Sequence, residues 1–410
     1  MPSASASASA AGVRPEDLYA SPNALAPHYG RFRVAERLLL TGHSHQAWPD
    51  VAFEGQQRAW LDAAEHVDDK WGEVMRVADR VRAGYRRLLG DVDGDIALAA
   101  STHELVVRLL SALDLRGRPR VVTTDGEFHS IRRQLDRFAE EGLQVAKIPA
   151  APVATLAERL AAAVDDRTSC VMVSSVLFAS AEIVPHLPAV ADACGAVGAA
   201  LLVDAYHHLN VVPFEPAGLE GAFITGGGYK YCQLGEGNAF LRVPPGFEGR
   251  PAITGWFAEF EARADAREPG RVAYAPGPGA WAGGTFDPTA HYRAASVFDF
   301  FEETGLTPAL LREVSRHQVG LLARLCAAGD LAGRLSLPRD PQTPAMEELA
   351  GFLALRTPRA GELSDALREE GVWTDARGDV IRLGPAPYLS DEQLSEAVLR
   401  LGRVAAAMRL

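Results

Sequence analysis

An acid and a lysine, each closing a short apolar run, are the side chains best placed for chemistry. Residues 200–203 are apolar and end in Asp204; residues 222–225 are apolar and lead through Gly226-Gly227-Gly228 to Tyr229-Lys230-Tyr231. Short apolar runs bounded by turn signals fit strands buried on both faces of a parallel sheet. Ligands of such sheets sit at the carboxyl ends of the strands. A lysine amine there can condense with an aldehyde, and a carboxylate can keep a pyridine nitrogen protonated. Those are the two demands of pyridoxal phosphate (PLP). The plain alternative is a capped strand end and a solvated lysine.

Lysine usage bears on that choice. The chain uses arginine almost everywhere and has only Lys70, Lys147 and Lys230. Lys70 falls in an acidic helix-like stretch and Lys147 enters an edge-like strand, VAKIP. Arginine stays protonated and cannot replace lysine in such a condensation. Lys230 alone lies in a glycine-rich strand-end turn, where glycines let the backbone approach a ring closely.

Further strands and helices must position these groups. Residues 37–50 read as a short strand and a turn, Gly42-His43-Ser44-His45. Residues 51–89 carry Trp60, Trp71 and the Val74, Val77, Val81, Leu88 series at helical spacing, read as core. Residues 95–100 form a strand before Ser101-Thr102-His103-Glu104, a capping box that starts a helix; a helix start favours an anion such as a phosphate. Arg120–Thr124 is the next strand, with Asp125 to Ser130 after it, and residues 168–176 another. Residues 242–284 read as a long loop with a short helix at 257–266. Beyond His291, helices at 292–303 and 307–328, a strand at 349–358, a helix at 362–370 and a strand at 380–383 predict a small α/β domain.

The combination Asp204-Ala205-Tyr206-His207, then Tyr229-Lys230-Tyr231 with its glycine-rich tail, resembles kynureninase and its relatives among the fold-type I PLP enzymes, close to the class V aminotransferases. The run Asp379 to Tyr388, DVIRLGPAPY, and Gly255-Trp256-Phe257 resemble the same family. The resemblance implies an α/β fold: a large domain with a mostly parallel central sheet flanked by helices, and a smaller C-terminal α/β domain. The expected division is a disordered tail at 1–12, a segment at 13–50 contributing to the small domain, a PLP-binding domain at 51–290 and the small domain at 291–410.

The resemblance also assigns roles. Ser101 and Thr102 would hold the PLP phosphate, aided by the Tyr229 hydroxyl. Phe128 would cover the pyridine ring beside Ser130, and His207 would hydrogen-bond near the cofactor. Arg382 would grip the substrate carboxylate, which suits a planar guanidinium. A homodimer with shared active sites is implied, with Trp256 completing the neighbouring subunit's site. The implied activity is hydrolytic Cβ–Cγ cleavage of a γ-keto L-amino acid. A β-eliminating lyase, an aminotransferase and a non-catalytic PLP-fold protein stay open.

Three departures from the family pattern point away from kynurenine as substrate. His43 replaces the turn asparagine, Gly-Trp-Phe continues as Ala258-Glu259, and Phe286-Asp287-Pro288 replaces Ser-Asn-Pro. Two of the changes add acids, Glu259 and Asp287, so a positive or donor-rich substrate side chain is expected.

Bulk properties set the remaining bounds. The 410 residues carry a net charge of −12, which argues against a nucleic-acid surface. No apolar run approaches the ~18 residues of a membrane span. Cys170, Cys194, Cys232 and Cys326 are dispersed without metal-like spacing and read as free thiols of a reducing, cytoplasmic compartment, the first three as packing residues. Residues 2–11, PSASASASAA, are low in complexity and lack the charged start of a secretory signal.

Overall fold

The computed structural model describes residues 12–91, 93–260, 269–328, 331, 335–336 and 346–410. The low-complexity tail at 2–11 and the second half of the expected helix at 257–266 lie outside them. Twelve strands occur among the described residues: β1 (Leu38–Leu39), β2 (Asp95–Ala99), β3 (Arg120–Thr124), β4 (Gln144–Ile148), β5 (Thr168–Ser174), β6 (Ala200–Asp204), β7 (Phe223–Gly227), β8 (Ala239–Val243), β9 (Leu353–Arg356), β10 (Val372–Trp373), β11 (Asp375–Arg377) and β12 (Val380–Leu383).

Seven of them form the central sheet in the order β2-β8-β7-β6-β5-β3-β4. Pairing is parallel from β4 across to β7; β8 runs antiparallel to both β7 and β2. Every residue of β5, β7 and β8 is buried, as expected for strands covered on both faces. This is the mostly parallel, helix-flanked α/β architecture read from the sequence. Strand β4 is an edge, and its Lys147 is exposed and pairs with Asp136.

Helices Val51–His66 and Trp71–Leu89 cover one side and pack against helix Thr289–Thr304. Close approach there depends on Gly55: a Cβ at that position would lie 2.6 Å from the Tyr292 carbonyl oxygen. The helical spacing of Val74, Val77, Val81 and Leu88 does mark a buried face. Trp60 does not follow it: its side chain is 78% exposed, alongside exposed Leu61 and Val67. Helical periodicity identifies an apolar residue but not whether this chain alone covers it.

The C-terminal part builds an antiparallel sheet in the order β11-β12-β9, flanked by helices Pro308–Ala327, Ala360–Glu369 and Asp391–Ala407. The N-terminal segment joins it. Strand β1 pairs in parallel with β10, and Gly42 N donates to the Gly384 carbonyl at 2.8 Å. The turn holding His43 is thereby fastened beside β12, the strand of Arg382. The long loop after β8 contains short 3₁₀ turns at Trp256–Glu259 and Gly277–Trp281. No described helix is long and apolar enough to cross a membrane.

Candidate active site

Strand order decides where the chemistry can be. Strands β6 and β7 lie side by side and parallel, with Asp204 in register with Thr225. Both strands therefore open their carboxyl ends on the same side, bringing Asp204 and Lys230 to one cavity of 270 Å³. Ser101, Thr102, Phe128, Ser130, His207 and Tyr229 also line it, together with His103, Tyr206, Glu236 and Gly237. Eight expected cofactor residues from four separate strand-end segments thus converge on one space.

Lys230 is 4% exposed and is the only buried lysine of the three. Its Nζ lies 2.7 Å from His207 Nε2. The rings of Tyr206 and Phe128 are centred 4.7 Å and 5.2 Å from the same atom. Burial lowers the amine pKa to about 7, only partly opposed by the Asp204 carboxylate. A lysine in this setting is substantially neutral near pH 7 and able to act as a nucleophile or base. His207 is held neutral by burial and then by the cation of Lys230.

Burial raises the Asp204 pKa, opposed by a hydrogen bond from the Tyr206 backbone N–H and by Lys230. That hydrogen bond is 2.8 Å long. A carboxylate so buried gains from a cation in the cavity, and a protonated ring nitrogen has the required charge. Ser101 caps helix Thr102–Ala112 by accepting from Glu104 N at 3.4 Å, so free N–H groups of the first turn face the cavity end of the helix. An aromatic face, a neutral lysine, a buried acid and a helix start fit the ring, aldehyde, nitrogen and phosphate of PLP respectively.

The three glycines before Tyr229 serve packing. A Cβ at Gly227 would lie 2.3 Å from the Tyr206 hydroxyl, and one at Gly228 would lie 2.6 Å from Leu234 Cβ. The backbone approach expected toward a ring is an approach toward protein side chains, which seats Tyr206 against the strand end.

Arg382 is placed differently from the cofactor residues. It is buried and held from two sides: Nε donates to Asp375 Oδ1 at 2.8 Å, Nη2 donates to Asp375 Oδ2, and Nη1 donates to the Phe178 carbonyl at 2.7 Å. Those bonds use three of a guanidinium's five N–H donors and leave two for a ligand. The arginine and His43 hold the Asp375 carboxyl well below the ordinary carboxylate range, against the cost of its burial. His43 itself is fully buried, with Nε2 at 2.8 Å from Asp375 Oδ1, and burial lowers its pKa to about 4. The ring fits because residue 384 is glycine: a Cβ there would lie 2.1 Å from His43 Nδ1.

None of the five residues expected at the substrate or across the dimer, Arg382, His43, Trp256, Glu259 and Asp287, lines the Lys230 cavity. Trp256 is 55% exposed, with Nε1 donating to Thr285 Oγ1 at 3.1 Å. Asp287 accepts from the Thr289 backbone N–H at 2.9 Å and its hydroxyl at 2.6 Å, which lowers its pKa and caps the following helix. It also lines a larger cavity of 690 Å³, which shares Ala100, Glu236 and Gly237 with the Lys230 cavity.

Several residues were not anticipated. Glu127 is buried beside Phe128 and accepts from Thr124 Oγ1 at 2.6 Å, Ser174 Oγ at 2.6 Å and Ser174 N at 3.2 Å. Burial raises its pKa to about 7, with the Asp204 charge adding to the shift. Glu236 stands between the two cavities, and Asp375 anchors Arg382. Only Asp375 left a usable signal. Gly378-Asp379 closes a two-residue hairpin that sets Asp375 opposite Arg382.

Comparison with known proteins agrees with the motifs. Residues 311–401 match the family described as the kynureninase C-terminal domain. An uncharacterized aminotransferase of Bacillus subtilis (strain 168), YcbU, is 24% identical over 343 residues, covering 83% of this chain and 87% of that protein. Among solved structures, a C-DES mutant with glycine covalently linked to its PLP cofactor is similar with a TM-score of 0.80 at 16% identity, covering 92% of this chain and 98% of that one. The cysteine desulfurase of Thermococcus onnurineus NA1 is similar with a TM-score of 0.74 at 14% identity, covering 91% and 95%. The fold is that of the fold-type I PLP-dependent enzymes, and the resemblance to kynureninase and the class V aminotransferases read from the sequence holds.

Proposed function

We propose that this protein is a PLP-dependent enzyme that cleaves at the β-carbon of an L-amino acid, hydrolysing the Cβ–Cγ bond of a γ-keto amino acid. The observation that carries the reading is the single buried lysine, 2.7 Å from His207 and sharing a cavity with Asp204. Ser101, Thr102 and Tyr229 would hold the phosphate, Phe128 would cover the ring beside Ser130, and Asp204 would keep the ring nitrogen protonated. Bound there, PLP supplies a sink for the electrons of the α-carbon.

The chain's own groups do the rest. Lys230 Nζ, its pKa lowered by burial to about 7, takes the α-proton in its neutral form and later returns it. His207 steers that amine through its short contact. Arg382, fixed by Asp375, offers its two remaining N–H donors to the substrate carboxylate. Water adds to the side-chain ketone, and alanine and a carboxylic acid leave. Substrate side chains extend toward the adjoining 690 Å³ cavity, whose wall carries Glu236 and Asp287 together with Arg82, Arg108 and Arg293; a positive or donor-rich group is assigned to the two acids. Glu259 is assigned to the same preference through the neighbouring subunit of a homodimer, and Trp256 to that subunit's phosphate.

The runner-up is β-elimination at a C–S bond. It is favoured by likeness to C-DES, whose structure in complex with its product cysteine persulfide is similar with a TM-score of 0.76. A sulfur relay through a protein thiolate is not part of that reading. All four cysteines are buried, and burial pushes the thiols of Cys194, Cys232 and Cys326 up to about 12. Product analysis separates the routes. Alanine with a carboxylic acid supports the hydrolase; pyruvate, or amino transfer to an added keto acid, overturns it.

A further inference from the structure

A third cavity lies between the Lys230 turn and the chain just beyond Arg382. It measures 20 Å³, and Gln46, Asn210, Tyr231, Gln233 and Ser315 contribute polar atoms to its wall, with Pro385–Pro387 closing one side. Gln46 Oε1, Asn210 Oδ1, Tyr231 OH, Gln233 Nε2 and Ser315 Oγ are all buried without a protein hydrogen-bond partner. Eight side-chain atoms among the described residues share that condition, and five of them belong to residues that line this one small space. A buried polar group left without a partner loses its hydration and gains nothing in return, so five around one space call for an occupant.

The neighbours of these side chains fix what the cavity asks for. Asn210 Nδ2 donates to the Tyr231 carbonyl at 3.0 Å, which turns Oδ1 inward as an acceptor. Tyr29 OH donates to Gln233 Oε1 at 2.5 Å, which turns Nε2 inward as a donor. The occupant must therefore donate to Gln46 and Asn210, accept from Gln233, and exchange with two hydroxyls. A metal cation cannot accept from Gln233, and an anion cannot donate to the amide oxygens. Water does both, and about 10–15 Å³ is room for one molecule.

We propose that this cavity is the permanent seat of one water molecule that joins the Lys230 turn to the Gln46 turn and to helix Pro308–Ala327. Tyr231 follows Lys230 directly and Gln233 lies three residues beyond it. Gln46 N donates to the Tyr229 carbonyl at 3.3 Å, and Ser315 belongs to helix Pro308–Ala327. The water is the polar link that these segments share at their junction. It fixes the turn after Lys230 against the segment of Gln46 and the helix of Ser315, and it does so whatever reaction the site performs.

A high-resolution crystal structure of the full chain tests the site directly. One peak is expected within hydrogen-bond distance of at least three of the five atoms, unchanged whether crystals are grown in sodium, potassium or rubidium salts. An empty cavity, or a peak whose anomalous signal follows rubidium, overturns the proposal. Ser315→Val puts a methyl group into the water's space and should remove the peak and lower Tm by several degrees. Ser315→Ala leaves the room and should retain the peak. A Ser315→Val protein as stable as the parent would contradict the linking role; if that variant does not fold, the parent and Ser315→Ala structures decide.

Discussion

Asp375 and Arg382 face each other across the β11–β12 hairpin, and the carboxylate holds the guanidinium side-on through Nε and Nη2. The arginine that would grip a substrate carboxylate is thus oriented by a carboxylate of its own chain, which is in turn held by His43. A buried pair of this kind is strongly destabilised by removing one partner, by about 3–5 kcal/mol. Asp375→Ala should therefore lower Tm clearly. Arg382→Lys should raise KM for an amino-acid substrate by about 10–100-fold, since a lysine cannot reproduce the planar fork. Steady-state kinetics checks this, and an unchanged KM would remove Arg382 from the substrate site.

Lys230 should react as an amine with a pKa near 7. Its pKa is lowered by burial, so the neutral form dominates above about pH 7, whereas an ordinary lysine is neutral only above about 10.4. The rate of PLP uptake by cofactor-free protein should therefore rise to about pH 7 and then level off. A rate still climbing well above pH 9 would show an unperturbed lysine.

Glu127 predicts a pH effect of the opposite sign. Its folded pKa is raised to about 7 from 4.5, so the folded state binds the extra proton between those values. Its contribution to stability is present below about pH 4.5 and is lost as pH rises through 7. Glu127→Gln keeps the shape without a titrating proton, so this component of the pH dependence should vanish in denaturant titrations across that window. A wild-type-like slope in the variant would contradict the assignment.

Much of this arrangement was legible before the fold was known, because strand ends are signalled locally. Asp204 and Lys230 each close an apolar run, and Ser101 caps a helix, so each announces a position at the rim of a parallel sheet. Glu127 gave no such signal. Its importance comes from Ser174 on a neighbouring strand, a contact that strand order creates. Trp60 failed in the other direction, since helical spacing says nothing about which faces a single chain leaves open. Glu259 and Asp287 are visible as acids, but the hydrogen bonds that make Asp287 a helix cap follow from the local turn.

Exposed Trp60, Leu61 and Val67 on one helix end, with exposed Trp256 and Phe260 on the loop after β8, predict association of two chains. Light scattering after size exclusion should give twice the mass of the 43.9 kDa chain. Trp60→Glu should shift the population toward the single chain if that face is part of the contact, and a monomeric parent would refute the shared-site arrangement.

The central claim is that Lys230 carries the cofactor. Borohydride reduction of PLP-supplemented protein followed by peptide mass analysis is the most direct test. The expected result is a pyridoxyl group fixed on the peptide containing Lys230, absent from Lys230→Ala and absent from Lys70 and Lys147. A colourless protein with no adduct at Lys230, or an adduct distributed over all three lysines, would contradict it.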